Sequence, residues 1–282
     1  MAKGNTRQDV NILNKKISFV GCGKMAQAII GGILKSNLVN PRQIIASART
    51  ELTLEDVKNR WEIQTRSSNI EAAKEADILF LAIKPDGHGA VIDEIKNSIN
   101  SQAIIITIAA GISLSFLEQS FGRKIKAVRS MPNTPSLVGE GMSVLSANES
   151  VTPEDMEEVI KIFSCIGKAA VMEEKMMDAI PAISGSSPAY VYMFIEALAD
   201  GGVKAGLSRD QSYQLAAQAV LGAAKMVLET GKHPAELKDE VCTPGGATIE
   251  AVAELERKGF RASVLSAMEQ CFDKTKALSG KN

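Results

Sequence analysis

Three short polar stretches hold most of the side chains able to meet a small anionic ligand: Met131-Pro132-Asn133-Thr134-Pro135, Ser184-Gly185-Ser186-Ser187-Pro188 and Thr243-Pro244-Gly245-Gly246-Ala247-Thr248. The second and third each stand just before a helix in the residue pattern. Backbone N–H groups have no partner there within the helix, and they suit a carboxylate. Caps and turns of this composition are also what any helical protein needs, so both readings stay open. Other reactive chemistry is scarce. His88 lies in a Gly-rich loop and His233 precedes a proline, and neither has an Asp or Ser neighbour in sequence, which argues against a Ser-His-Asp hydrolase. Both histidines read as structural or surface residues. Cys22, Cys165, Cys242 and Cys271 are scattered, with no CxxC pair and no His cluster. Neither a metal centre nor a disulfide framework is expected, and a reducing compartment fits.

A fourth stretch suits a phosphate. Residues 17–20 are an apolar strand, Gly21-Cys22-Gly23-Lys24-Met25-Ala26 a tight turn, and a small-residue helix runs on from Ala26. This GxGxxA pattern, with a strand before it and a helix after it, aims backbone N–H groups at a pyrophosphate. Gly21 makes the turn, Gly23 offers no Cβ to block the ligand, and Ala26 lets helix and strand pack closely. The turn as a whole, Lys24 and Met25 included, is assigned to a dinucleotide cofactor. The plain alternative is a Gly-rich turn without a ligand.

The end of the second strand refines the cofactor. An NAD site usually places an acid there for the ribose hydroxyls. Here the chain reads Ser47-Ala48-Arg49-Thr50, with no acid before Glu51. A hydroxyl and a guanidinium suit a 2′-phosphate, which a carboxylate would repel. NADP(H) is therefore expected, with NAD(H) at lower preference; the alternative is a solvated Arg49 on a loop. Ala82-Ile83-Lys84-Pro85 follows the fourth strand at the carboxyl edge of the sheet, where Lys84 either meets the cofactor ribose or points to water. Ala109-Ala110-Gly111 ends the next strand on the same edge, small enough for a nicotinamide ring, and Asn69 is placed on the adenine side.

These groups need a scaffold that the rest of the chain supplies. Residues 1–14 read as a loose tail. Strands at 17–20, 43–47, 63–65, 78–83, 103–108, 126–130, 143–146 and 169–172 alternate mostly with helices. Continuous apolar strands of this kind predict a doubly wound, Rossmann-like α/β domain with a parallel sheet covered on both faces, spanning 15–172. Thr152-Pro153-Glu154-Asp155 has the form of a helix start, and Ser208-Arg209-Asp210-Gln211 that of a capping box.

Beyond 172 the strand signals stop, and 173–282 reads as an all-α domain. Within 215–228 only Gln218 and Lys225 are polar, so that helix must be buried nearly all round. Five helices could hardly do this alone. A partner subunit is the expected cover, the alternative being a central helix in a monomeric bundle. Phe260, Val264, Met268, Cys271, Thr275 and Leu278 give the last helix one buried face. Lys and Arg number 32 against 33 Asp and Glu, which leaves no basic excess for nucleic acid. No run of eighteen apolar residues occurs, so no membrane span is expected and the setting is read as cytoplasmic.

With these motifs in order, the chain resembles the pyrroline-5-carboxylate reductases from about Lys16 onward. GCGKMAQAI (21–29), AIKP (82–85), MPNTP (131–135), SGSSPAY (184–190), ALADGGVKAGL (197–207) and HPAELKDEVCTPGGATIEAV (233–252) carry the resemblance. It implies NAD(P)H-dependent reduction of a cyclic imine to L-proline, and a helical second domain that interlocks with its dyad mate as a homodimer or larger homo-oligomer. It further implies that the substrate carboxylate rests on the amides of Gly246, Ala247 and Thr248, with Glu174 and Ser184 on the substrate side. Thr248 is the implied catalytic residue, its hydroxyl near the ring nitrogen. Three places depart from the family pattern: Ser187 in SGSSPAY, Asp86-Gly87-His88, and Glu240. A 3-hydroxyacid dehydrogenase would need a helix-borne Lys with Asn four residues on, yet Lys204 is followed at 208 by Ser. A non-catalytic NADP(H) sensor would be expected to have lost its TPGGAT loop, which here is whole.

Overall fold

The computed structural model of the chain describes residues 13–279; most of the expected tail and the side chain of Leu278 lie outside the described residues. The chain divides into two compact units. One runs to Gly185 and takes in Phe272 onward; the other is Ser186–Cys271.

In the first unit β1 (Ile17–Val20) leads into α1 (Lys24–Lys35), β2 (Ile44–Ser47) into α2 (Glu51–Trp61), and β3 (Gln64–Arg66) into α3 (Asn69–Lys74). Then come β4 (Ile78–Leu81), α4 (His88–Ile95), β5 (Ile104–Thr107), α5 (Leu114–Phe121) and β6 (Lys126–Met131). The last part is β7 (Gly141–Ala147), α6 (Pro153–Ser164) and β8 (Gly167–Val171). One eight-stranded sheet results, in the order β3-β2-β1-β4-β5-β6-β7-β8. The strand order reverses its direction of winding between β1 and β4, and the crevice at a Rossmann-like switch point opens there, at the carboxyl ends of the strands.

Two strands depart from the expected parallel arrangement. β7 runs antiparallel to β6, and β8, which pairs parallel with β7, shares its reversed direction. The connection 132–140 holds only a 3₁₀ turn, Thr134–Val138. It is too short for the crossover that a parallel neighbour demands, so the chain doubles back.

Alternation along the strands fills two cores. Ile17, Phe19, Ile78, Phe80, Ile104 and Ile106 pack with Ile29, Ile30, Ile33, Val159, Ile162 and Phe163 of α1 and α6. Val20, Leu79, Leu81 and Ile105 face the other way, against Ile92, Ile95, Leu117 and Phe121 of α4 and α5. Phe19 and Phe80 stack at 4.6 Å, which ties the two switch-point strands together. The compact unit extends past the last strand, beyond the expected limit of 172. Met177 and Ile180 pack on Val144, so the segment up to Gly185 stays with the sheet.

The second unit holds α7 (Ser187–Lys204), α8 (Arg209–Thr230), α9 (Pro234–Val241), α10 (Ala247–Arg257) and most of α11 (Phe260–Ser279). Ser208 and Gln211 form the expected capping box on α8, as Thr152 and Asp155 do on α6. Gly202 sits so close to Ser212 that a Cβ would come within about 2.6 Å of its hydroxyl, and α7 and α8 pack against each other there. The rest of α8 is bare. Ser212 and Ala216 are its buried residues, while Leu228 is 80% exposed and Leu215 61%. A helix central to a monomeric bundle could not look like this. On α11, Thr275 is buried and Met268 and Cys271 half-buried, but Phe260 and Val264 are exposed, so the expected buried face is only partly covered within one chain.

Candidate active site

Gly21 leaves β1 with φ at +90°, and a Cβ on it would lie about 2.5 Å from the carbonyl oxygen of Ala82. Glycine is thus forced by the fold, because the turn after β1 rests on the turn after β4. Gly23 differs. It has an ordinary extended conformation, and among the described residues nothing lies within 4 Å of where its Cβ would be. No atom of the described residues requires a glycine at this point, whereas a ligand approaching the backbone would. Gly23 is also the N-cap of α1, without a side-chain cap, and the helix begins at Lys24 rather than at Ala26. The chain enters helical geometry as soon as the second glycine has turned it, so the N–H groups of Lys24, Met25 and Ala26 form the free first turn.

Around this turn lies a cleft of about 610 Å³ lined by Gly21, Cys22, Gly23, Arg49, Asn69, Ala82 and Lys84, among others. Six residues expected at a cofactor site therefore meet in one place. Others do not line it. Ala26 is buried in the core beneath the turn. Lys24 lines a separate cavity of about 770 Å³ on the outer side of α1, with Arg60 and Trp61. Met25 packs on the core as a half-buried residue. Ser47 is fully buried, its hydroxyl 2.8 Å from Asn69 Oδ1 and 3.4 Å from the carbonyl of Phe19. That hydroxyl holds Asn69 in place and does not face the cleft. The hydroxyls at the rim are instead Thr50 and Thr53, which the sequence reading passed over. Thr50 is the N-cap of α2 and accepts the Thr53 N–H, so a second helix start adjoins Arg49. The signal was available: Thr50 directly precedes a helical pattern.

Cys22 sits between the two glycines with its thiol buried. Burial, reinforced by the negative charge of Asp56, pushes its pKa up to about 12. It stays a neutral packing residue.

Ala109 and Ala110 follow β5 at the same sheet edge, Ala109 buried and Ala110 exposed. The Ala109 N–H donates to Thr107 Oγ1 at 3.2 Å.

Two of the three polar stretches meet in the first unit. Asn133 donates to the carbonyl of Ser184 at 2.9 Å and accepts the N–H of Met142 at the same distance. It pins the segment carrying Ser184 to the start of β7. Glu174 is held as well: its Oε1 accepts the N–H of Leu114, at the start of α5, at 2.7 Å and lies 3.4 Å from Arg129. Arg129, 7% exposed, reaches Asp178 at 2.7 Å. Asn133 belongs to a polar stretch that the sequence already singles out, though for a ligand and not as a support for Ser184, whereas Arg129 was missed. An Arg between Val128 and Ser130 in the middle of a strand was the clue, because such a charge is buried only when paired.

The start of α7 is not the free helix end that the sequence pattern suggests. A π-turn, Pro181–Gly185, runs directly into it, and Ser186 is its N-cap, in a helical conformation. The start of α10 is free. Gly245 has φ of +68°, Gly246 is the N-cap with no side-chain cap, and Ala247 and Thr248 open the helix. Its first N–H groups, with Thr248 exposed beside them, are placed to hold an anion.

Comparison with known proteins fits both ends of the chain. The family model described as pyrroline-5-carboxylate reductase dimerisation matches residues 174–278, and one described as NADP oxidoreductase, coenzyme F420-dependent, matches 16–111. A pyrroline-5-carboxylate reductase of Escherichia coli K12 is 48% identical, over 95% of this chain and 99% of its own. The chain belongs to the pyrroline-5-carboxylate reductase family. The reductase of Coxiella burnetii superposes with a TM-score of 0.88 at 32% identity, over 95% of this chain and 99% of that one. That of Plasmodium falciparum, solved with NADP bound, gives 0.85 at 37% identity with the same coverage. Among the described residues no helix is long and apolar enough to cross a membrane.

Proposed function

We propose that this chain catalyses the NAD(P)H-dependent reduction of L-1-pyrroline-5-carboxylate to L-proline, the last step of proline biosynthesis, with NADP(H) preferred over NAD(H). The observation that carries the reading is Gly23: a glycine needed by no neighbour, at the switch point of a sheet, in a chain of this family.

The residues divide the work. The turn from Gly21 to Ala26 holds the pyrophosphate, through the N–H groups of Lys24, Met25 and Ala26 more than through side chains. Arg49 takes the 2′-phosphate, joined by Thr50 and Thr53, while Ser47 orients Asn69 toward the adenine side. Ala82 and Lys84 border the ribose, and Ala109 and Ala110 leave room for the nicotinamide. When bound, the dinucleotide supplies a hydride to the ring carbon of the C=N bond. The amides of Gly246, Ala247 and Thr248 hold the substrate carboxylate, and the Thr248 hydroxyl hydrogen-bonds the ring nitrogen, which becomes the amine of proline. Glu174 and Ser184 belong to the substrate contacts, fixed by Arg129 and Asn133. Few acid–base groups are required, since a protonated imine is already electrophilic and positioning provides most of the rate.

The functional protein is a homodimer, or an assembly of such dimers, because the bare apolar surface of α8 needs cover. Its setting is the cytoplasm, in keeping with four cysteines that form no disulfide among the described residues.

Loss of NADPH absorbance tests the reading, with pyrroline-5-carboxylate, a set of 2-keto acids, and no substrate compared side by side. Rapid oxidation with the imine alone is expected. Faster turnover with a keto acid would favour a dehydrogenase of another kind, and NADPH binding without any turnover would favour a sensor.

A further inference from the structure

His88 is the one fully buried histidine among the described residues, and the reaction proposed above does not use it. Its ring joins two loops that lie on neighbouring strands. Nδ1 is 3.1 Å from the carbonyl oxygen of Lys84, in the turn after β4. Nε2 is 3.0 Å from Oγ1 of Thr107, the last residue of β5. The same Oγ1 accepts the N–H of Ala109, in the turn after β5.

The proton positions in this chain of bonds follow from what each atom can do. A carbonyl oxygen only accepts, so Nδ1 must carry the hydrogen. Burial holds the imidazole pKa below its ordinary value, which keeps the ring neutral and leaves Nε2 bare. Thr107 then donates its hydroxyl hydrogen to Nε2 and accepts from Ala109 with a lone pair. Every donor from Ala109 to Lys84 has one acceptor, and the network has a single solution. Ser130 adds a brace, donating to the carbonyl of Thr107 at 2.7 Å.

We propose that His88 is a positioning residue for the dinucleotide: through Thr107 it locks the Lys84 turn to the Ala109 turn, so that the ribose side and the nicotinamide side of the crevice are held as one rigid edge. Lys84 lines the cofactor cleft, and β4 and β5 are adjacent parallel strands, so the lock joins the two loops at the carboxyl edge. The inference rests on the NADP(H) reading of that cleft, though not on the identity of the substrate.

Three variants and one direct observation test it. Thr107→Val keeps the shape of the strand residue but removes the hydroxyl; His88→Asn can keep the bond to Lys84 but cannot reach Thr107; Thr107→Ser restores the hydroxyl. NADPH affinity is read by binding, without turnover, alongside KM for each substrate and Tm. Thr107→Val and His88→Asn are expected to weaken NADPH binding about tenfold, the effect of one buried hydrogen bond left unmade. KM for the imine should change less than twofold, and Thr107→Ser should return NADPH affinity to near that of the parent. A fall in Tm with unchanged NADPH affinity would reduce His88 to a packing residue and overturn the proposal, as would equal changes in both KM values. In the unmodified protein, nitrogen NMR should find His88 neutral with its proton on Nδ1; a proton on Nε2 would contradict the network even if no variant folds. Parent protein that binds NADPH but leaves the imine untouched would defeat the substrate reading alone. Parent protein that does not bind NADPH would defeat this proposal as well.

Discussion

The two compact units place their apolar residues in opposite ways. In the first, every large side chain on the central strands β1 and β4 is buried, and two aromatic rings stack across them. In the second, Leu215, Leu221, Met226 and Leu228 of α8 all stand more than 40% exposed, as do Tyr192 and Met193 of α7. A leucine moved from water to a packed site gains about 1.5–3 kcal/mol, so the bare face of α8 represents several kcal/mol not yet realised within one chain. The first unit buries its own apolar side chains, whereas the second leaves many of its own uncovered within one chain.

The sharpest way to break that contrast is a charge on each side. Leu221→Glu on α8 should abolish self-association at micromolar concentration, since a carboxylate buried at an apolar interface is strongly unfavourable. Light scattering would show a monomer, and reductase activity would fall at least a hundredfold if assembly completes the enzyme. Leu52→Glu, at a still more exposed leucine on α2, should leave both assembly and activity within twofold. If both behave alike, the units do not differ as described.

A pair of glycines tests whether the open surface of the first unit is meant for a ligand. Gly23→Val should weaken NADPH binding a hundredfold or more with little change in Tm, because its side chain meets only the space a pyrophosphate would fill. Gly21→Val should unfold the protein more readily, as its Cβ meets the Ala82 carbonyl and its φ is unfavourable. A smaller effect is expected from Arg49→Glu: KM for NADPH should rise about tenfold or more while that for NADH changes little, since only the former presents a 2′-phosphate. Equal changes would remove Arg49 from that role. Thr248→Ala, in the second unit, should lower kcat/KM for the imine about tenfold, the value of one hydrogen bond at the reacting ring, with NADPH affinity intact.

Legibility in the sequence follows the range of the interactions. The strand, turn and helix at 17–35 can be read because glycine spacing and apolar runs act over a few residues. Caps at Thr152 and Ser208 are legible for the same reason. The reversal of β7 is not, since pairing with β6 depends on what a short connection permits in three dimensions. Ser47 looks like a phosphate ligand because residue type says nothing of direction; in the fold its hydroxyl turns inward to Asn69. Arg129, Asn133 and His88 form bonds across 19 to 51 positions of chain, and their partners come into view only where the sheet brings them together. The exposed length of α8 shows the reverse: the apolar composition of 215–228 alone asks for cover, and the single chain does not provide it.

Transfer of isotope follows the hydride from cofactor to product. The protein is incubated with pyrroline-5-carboxylate and NADPH deuterated at the hydride-bearing carbon, one face at a time, and the product is analysed by NMR. Proline is expected to carry a single deuterium on the ring carbon that was doubly bonded to nitrogen, from one face of the cofactor only. Proline without label, or NADPH oxidised with no proline formed, would contradict the proposed reaction.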